Sequence, residues 1–496
     1  MKYDAVIIGS GLGGLQCGYI LSREGYNVCI LEKNSQLGGS LQTFRRNNIT
    51  FDTGMHYIGS MEEGQILYNL FRYFNLTSGL RLKKMDEDGY DVISYQGKEY
   101  RFAMSYDRFT DTMLDYFPGE KEALAKYCSK LKEITKSVDV LSGTNSPDRK
   151  TGYFDYFSQG IAGYLDSLTS NNTLKNVLLG LSPIYAGEKN KTPLYIPMVI
   201  HSSFINSAFR FIEGGSQISG ILEKSIKGNG GTIMRNARVT DIIFESGSVK
   251  AVRVNDSEIV EGRIFISNIH PVRLLEMAQT APFRPAYRNR INSLGETCGV
   301  FTLYLAMKEK SFDYVNRNFY VFKTDDVWNV RDYTNENWPL GYMMHFTPGS
   351  VSQQYAGAVI INTYMRWDDV SCWKETTVEK RGDKYLEFKS MKAEKLLDTV
   401  EHDFPGIKSK VLAYYTSTPL TYRDYIGSPT GSIYGMQKDF NDPLGTMVMP
   451  RTTISNLFHT GQNINIHGVI GVTICSILTC SEILGSQYLT DKIRNS

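Results

Sequence analysis

An α/β fold, with one domain assembled from separated segments and an α+β domain interleaved between them, is predicted by three observations. The phrase Val6-Ile7-Ile8-Gly9-Ser10-Gly11-Leu12-Gly13-Gly14 stands almost at the first residue. A second phrase stands near the last: residues 457–460 run into Gly461-Gln462, and Gly468-Val469-Ile470-Gly471 follows. Each reads as a strand entering a glycine-lined helix start. The third observation is length: 496 residues exceed one ordinary domain. Two half-sites that grip one ligand would loop nearly the whole chain between them.

Residues 3–8 form a β-branched run suited to a buried parallel strand. Gly9, Gly11 and Gly14 then supply Gly-x-Gly-x-x-Gly spacing, the Rossmann-like dinucleotide turn. Gly9 permits the tight turn, Gly11 admits a pyrophosphate, and Gly14 lets the helix pack on the strand. The N–H groups at Leu12 and Gly13, with the positive end of the helix dipole, face the phosphates. A helix over 15–24 ends at Gly25, and a second strand spans 27–31. Glu32 closes that strand, 18 residues after Gly14, where a carboxylate accepts from ribose hydroxyls. Lys33 is grouped with it as cofactor-binding. The pair Gly38-Gly39 follows, and then Ser40. A second glycine pair at this spacing resembles the extended FAD fingerprint of the amine oxidase and phytoene desaturase superfamily. Many members carry Arg after that pair, whereas this chain has Ser40.

Phe51-Asp52-Thr53-Gly54-Met55-His56-Tyr57-Ile58-Gly59 closely resembles the matching segment of all-trans-retinol saturases, and more loosely that of carotenoid isomerases. The resemblance implies that Met55, His56 and Tyr57 lie beside the flavin or the substrate. Residues 106–200 read as helical and carry Tyr106, Phe109, Tyr116, Phe117, Tyr153, Phe154, Tyr156, Phe157 and Tyr164. These aromatics suit either a core or an elongated apolar pocket. A helix over 216–227 leads to strands at 232–234, 239–244, 249–254 and 264–267. By resemblance, the Val239 backbone contacts the adenine. Strand-like runs at 300–305 and 358–361 precede Thr418-Pro419-Leu420-Thr421-Tyr422-Arg423-Asp424-Tyr425, a pattern similar to the family's substrate-side segment. Arg423 and Asp424 read as an ion pair rather than as catalytic groups.

In the C-terminal phrase, Gln462 stands where the superfamily often has an acid that binds the ribityl chain. An amide also donates to and accepts from hydroxyls, so the role survives. The helix start at Gly468, Val469 and Gly471 favours negative charge at the flavin N1–C2=O edge. The helix over 468–484 is short for a membrane span and is expected to be buried.

The resemblance to the retinol saturase and carotenoid isomerase family implies two domains. Residues 1–70, 205–285 and 446–496 bind FAD, and 71–204 with 286–445 hold the substrate. It also implies an FAD-dependent oxidoreductase acting on carbon–carbon double bonds of an apolar polyene or isoprenoid lipid. Saturation, desaturation and isomerisation remain open. His56, Tyr57 and Tyr425 are the expected proton donors. NAD(P)H is an electron-donor candidate, although no second Rossmann fingerprint is found. An amine oxidase-like flavoenzyme and a non-catalytic flavin- or lipid-binding protein are the alternatives.

Bulk properties limit the other classes. The net charge of +2 gives no case for nucleic acid. The seven cysteines form no CxxC pair, which argues against structural metal and disulfides and for a reducing compartment. With no signal peptide read at the N-terminus, a cytoplasmic location is expected, with peripheral membrane contact through the lipid substrate. The oligomeric state is left open.

Overall fold

The computed structural model describes residues 2–138, 155–349 and 353–496. Its first sheet has seven strands. Six run in the order Thr232–Met234, Val28–Leu31, Lys2–Ile8, Glu258–Ser267, Ser248–Val254 and Val239–Glu245, and Leu457–His459 also pairs with Glu258–Ser267. Lys2–Ile8 is parallel to both neighbours, with Ala5 opposite Val28 and Ile264. Ala5, Val6 and Ile7 are fully buried, as an apolar run covered on both faces requires.

Glu258–Ser267 explains how the chain ends meet. Its first residues pair antiparallel with Val252–Val254, while Phe265–Ser267 pair parallel with Leu457–His459. The same strand flanks Lys2–Ile8 on its other edge. The two glycine phrases therefore leave one sheet at the same end. The helix Leu12–Arg23 packs between Ser216–Gly228 and Gly468–Leu484. A buried polar contact joins the first and last of these, Gln16 Nε2 donating to Thr473 Oγ1 at 2.9 Å. Ten residues of Gly468–Leu484 are buried. No helix among the described residues is long and apolar enough to cross a membrane.

A second seven-stranded sheet runs Val411–Ser417, Gly299–Met307, Ala356–Met365, Gly341–Pro348, Asn318–Phe322, Asp91–Tyr95 and Lys98–Phe102. Only the pairing of Asp91–Tyr95 with Asn318–Phe322 is parallel. Every residue of Gly299–Met307 is buried, so this sheet too is covered on both faces. The hairpin Thr43–Arg46 and Ile49–Asp52 joins the two regions, with Phe44 and Phe51 packed against Tyr304 and Tyr415.

Most elements lie where the sequence pattern put them. The first helix begins at Leu12 rather than at residue 15, because the Gly11 carbonyl already accepts from Leu15. The run at 264–267 is the end of a ten-residue strand. Residues 419–426 form a helix capped by Thr418. Phe109, Phe117, Phe157 and Tyr164 belong to the hydrophobic core, and Tyr106, Tyr116 and Tyr156 pack on it; Tyr153 and Phe154 lie outside the described residues.

Candidate active site

One cavity of about 520 Å³ runs from the first glycine turn, past the second, to the second sheet. At its glycine end the backbone leaves no room for side chains. A Cβ on Gly14 would sit 2.1 Å from the Gly9 carbonyl oxygen, and one on Gly13 would sit 3.0 Å from the Gly461 nitrogen. The two glycine phrases are thus in direct contact. Asn268, just past Glu258–Ser267, wedges into the junction. Its Oδ1 is 2.5 Å from the place a Gly461 Cβ would take, and its Nδ2 is 2.8 Å from that of Gly11. The strand pattern at 264–267 ends just before Asn268, and sequence reasoning did not foresee this wedge. The available signal was an amide directly after a buried strand.

Glu32 is 5 % exposed and lines the cavity. Its Oε2 accepts from Ser10 N at 3.0 Å and Ser10 Oγ at 2.6 Å, and its Oε1 accepts from Asn34 N at 2.8 Å. The carboxylate therefore braces the glycine turn from within. Gly38 N donates to Ser10 O at 3.0 Å, which ties the second glycine pair to the first. Gly39, Ser40, Met55 and the Val239 strand start also line the cavity. At the rim, Lys33 Nζ donates to Asp424 O at 2.7 Å, Asn34 Nδ2 to Tyr425 O at 3.0 Å, and Arg273 Nε to Gly427 O at 3.2 Å. Burial lowers the Lys33 pKa. Arg423 and Asp424 form a half-buried clasp with Arg381 rather than a solvent-facing pair.

At the other turn, Gly461 has φ +93° and Gln462 lines the cavity. His467 precedes the helix Gly468–Leu484, whose Gly468, Val469 and Ile470 also line it. Gly471 is set deeper: a Cβ there would lie 2.6 Å from Ile466 O, so it packs the helix start onto the preceding loop. His467 was missed by sequence reasoning. Its ring lies 4.4 Å from Tyr434, and burial pushes its pKa down to about 4.

These observations match known proteins. An NAD(P)-binding Rossmann-like domain model matches residues 7–74. The human all-trans-retinol 13,14-reductase is 25% identical over 99% of this chain and 87% of its own length. Prolycopene isomerase 1, chloroplastic, from an Oncidium hybrid cultivar is 22% identical over 99% of this chain and 85% of its own length. The chain is a homologue of the retinol 13,14-reductases and prolycopene isomerases. Among solved structures, an oxidoreductase from Methanosarcina mazei shares the fold at TM-score 0.63 and 16% identity, covering 96% of this chain and 99% of its own.

The cavity's far end is apolar. Ile58, Leu67, Ile200 and Phe204 line it, as do Phe322 and Met343 of the second sheet. His56 also lines the cavity. Its ring is 4.3 Å from His345, and Asn362 Nδ2 is 3.5 Å from its Nε2. Asn362 Oδ1 accepts from Thr302 Oγ1 at 2.8 Å, so the amide nitrogen faces His56 and Nε2 is the acceptor side. Burial, and then the Arg210 charge, push the His56 pKa down to about 4, which leaves a neutral ring at pH 7. Tyr57 stacks on Phe204 with centroids 4.0 Å apart, and its Oη is 2.8 Å from both Asp91 Oδ2 and Tyr320 Oη. The structure brings His56 and Tyr57 to the same end. It does not bring Tyr425 there: Tyr425 is 44 % exposed and sits at the Lys33–Asn34 rim.

Proposed function

We propose that this chain is an FAD-dependent oxidoreductase acting on carbon–carbon double bonds of an apolar polyene or isoprenoid lipid. One observation carries the reading: a single cavity begins in a glycine cradle made from both chain ends and finishes between apolar walls. The cradle suits a dinucleotide, because Gly9, Gly11 and Gly13 line it with bare backbone at the start of the helix Leu12–Arg23.

A bound FAD supplies hydride chemistry at its N5. Around it, the Leu12 and Gly13 N–H groups hold the phosphates, Glu32 meets the adenosine ribose, and Gln462 meets the ribityl hydroxyls. The helix start at Gly468–Val469 would offer its positive end to negative charge on the flavin ring. Phe204, Phe322 and Met343 exclude water and orient the polyene. Tyr57 is the proposed proton donor, with neutral His56 shaping the wall beside it. Tyr425, at the outer rim, is left to cofactor closure. NAD(P)H is proposed as the electron donor, and residues 1–70, 205–285 and 446–496 as the cofactor domain. Because polyenes partition into bilayers, peripheral membrane contact is part of the same reading.

Purified protein is expected to carry non-covalent FAD, seen as the oxidised flavin absorbance. A colourless protein that takes up no FAD overturns the reading. Lipid mass spectrometry of cells with and without the protein then looks for a shift of two hydrogens. Conversion of amines with peroxide release would instead support an amine oxidase.

A further inference from the structure

Beneath the cavity lies a buried polar chain that the fold alone does not require. Arg210, Asn318, Asp91 and Tyr320 are each at most 1 % exposed. Arg210 Nη2 donates to Asn318 Oδ1 at 2.8 Å, which fixes the amide with its nitrogen toward Asp91. Asn318 Nδ2 then donates to Asp91 Oδ1 at 2.7 Å. The other carboxyl oxygen, Oδ2, is 2.8 Å from Tyr57 Oη, and Tyr320 Oη is 2.8 Å from the same hydroxyl. Of these five residues, only Tyr57 lines the cavity.

A hydroxyl has one hydrogen, so its direction depends on its neighbours. With Asp91 ionised, the Tyr57 hydrogen is drawn to the carboxylate and away from the cavity. With Asp91 protonated and Tyr320 also donating, both of their hydrogens point at Tyr57 Oη, and the Tyr57 hydrogen is left to turn toward the cavity. We propose that Asp91 is a positioning residue whose protonated form aims the Tyr57 hydroxyl at the substrate. This rests on the double-bond chemistry proposed above. In the reductive direction, the Tyr57 O–H bond breaks as a C–H bond forms on one alkene carbon. The neighbouring carbon would take hydride from a reduced flavin held by the glycine cradle, which would thereby be oxidised by two electrons. The Tyr57 oxygen, left negative, is stabilised by donation from Asp91 and Tyr320 and recovers a proton from water through the cavity. An ionised Asp91 would place a second negative charge 2.8 Å away and oppose that step.

The groups facing Asp91 are Tyr57, Tyr320, Tyr90, Asn318 and Arg210. Burial raises its pKa to about 7, against the lowering effects of Asn318, Tyr57 and Arg210. The aiming form is therefore populated below neutrality and lost as pH rises through about 7. Asp91→Asn separates positioning from a structural role. Asn318 Nδ2 would hold the new amide oxygen, leaving the new amide nitrogen to donate to Tyr57 Oη at every pH.

The test uses FAD-loaded full-length protein with all-trans-retinol and prolycopene as probes. Flavin absorbance of each variant is read first, so a failure of FAD binding is distinguished from a failure of this inference. Wild-type turnover is expected to fall about tenfold or more from pH 6 to pH 8.5, Asp91→Asn to stay flat across that range, and Tyr57→Phe to lose about 100-fold. Infrared difference spectra without substrate are expected to show a protonated carboxyl band that titrates near neutrality and is absent in Asp91→Asn. The inference is overturned if wild type and Asp91→Asn share one pH profile, or if that band is missing at pH 6.

Discussion

The two ends of the cavity are built by opposite means. The cofactor end is made of backbone: glycines, helix N-termini and one short stretch of chain pressed against another. The substrate end is made of side chains delivered by distant strands, with Tyr57, Asp91 and Tyr320 meeting across 263 residues of sequence. Backbone sites tolerate no added atom but ask little of their neighbours. Side-chain sites tolerate some changes in bulk yet depend on charge and hydrogen-bond direction at several remote positions.

Gly14→Ala is the strongest way to break the first kind of site. The new Cβ would lie 2.1 Å from a backbone carbonyl that no rotamer can move. A cost of about 3 kcal/mol or more is expected, with loss of bound flavin. Urea unfolding and flavin absorbance read the two effects. A variant that unfolds like the wild type and stays yellow would show that the turn is not the cradle.

Asn268→Ala comes next. It empties the wedge between the two glycine phrases and removes the Nδ2 contact to Gly9 O at 3.4 Å. About 1–2 kcal/mol of stability is expected to go, and FAD to bind about tenfold more weakly by fluorescence titration. Unchanged FAD affinity would mean that the two half-sites hold the cofactor independently.

The same contrast explains what could be read from sequence. The glycine phrases are local, so spacing alone located Gly9, Gly11, Gly14 and Glu32, and the strand patterns located most of the first sheet. Asn268 escaped because its importance comes from the Gly13–Gly461 contact, which no local pattern shows. Asp91 escaped for a stronger reason. In sequence it opens an ordinary strand, Asp91–Tyr95, and only the parallel pairing with Asn318–Phe322 brings it to Asn318 and Tyr320. Tyr425 raises the opposite difficulty: it lines the cavity, yet a resembling segment does not fix which end of a long cavity a side chain reaches.

Met343→Trp probes the substrate end with the cofactor end left intact. Met343 is 3 % exposed and lines the apolar wall. Added bulk there is expected to lower kcat/KM for the polyene substrate about tenfold, with flavin content unchanged. A matching loss of flavin would mean that the two ends are one mechanical unit.

Gly163→Ala has the smallest expected effect and the opposite sign. Gly163 lies in the first turn of the helix Ile161–Leu168, exposed, with nothing within 4 Å of the place its Cβ would take. Alanine there restricts the unfolded chain and favours the helix, so a gain of about 0.5–1 kcal/mol is expected, read as a raised unfolding midpoint with unchanged flavin content. The same substitution, glycine to alanine, then stabilises one region and destroys the other. What separates the two is the carbonyl of Gly9 lying 2.1 Å from the Gly14 Cβ position, not the identity of the residue. A loss of stability in Gly163→Ala would place an unseen backbone demand in the substrate region and weaken the division between the two kinds of site.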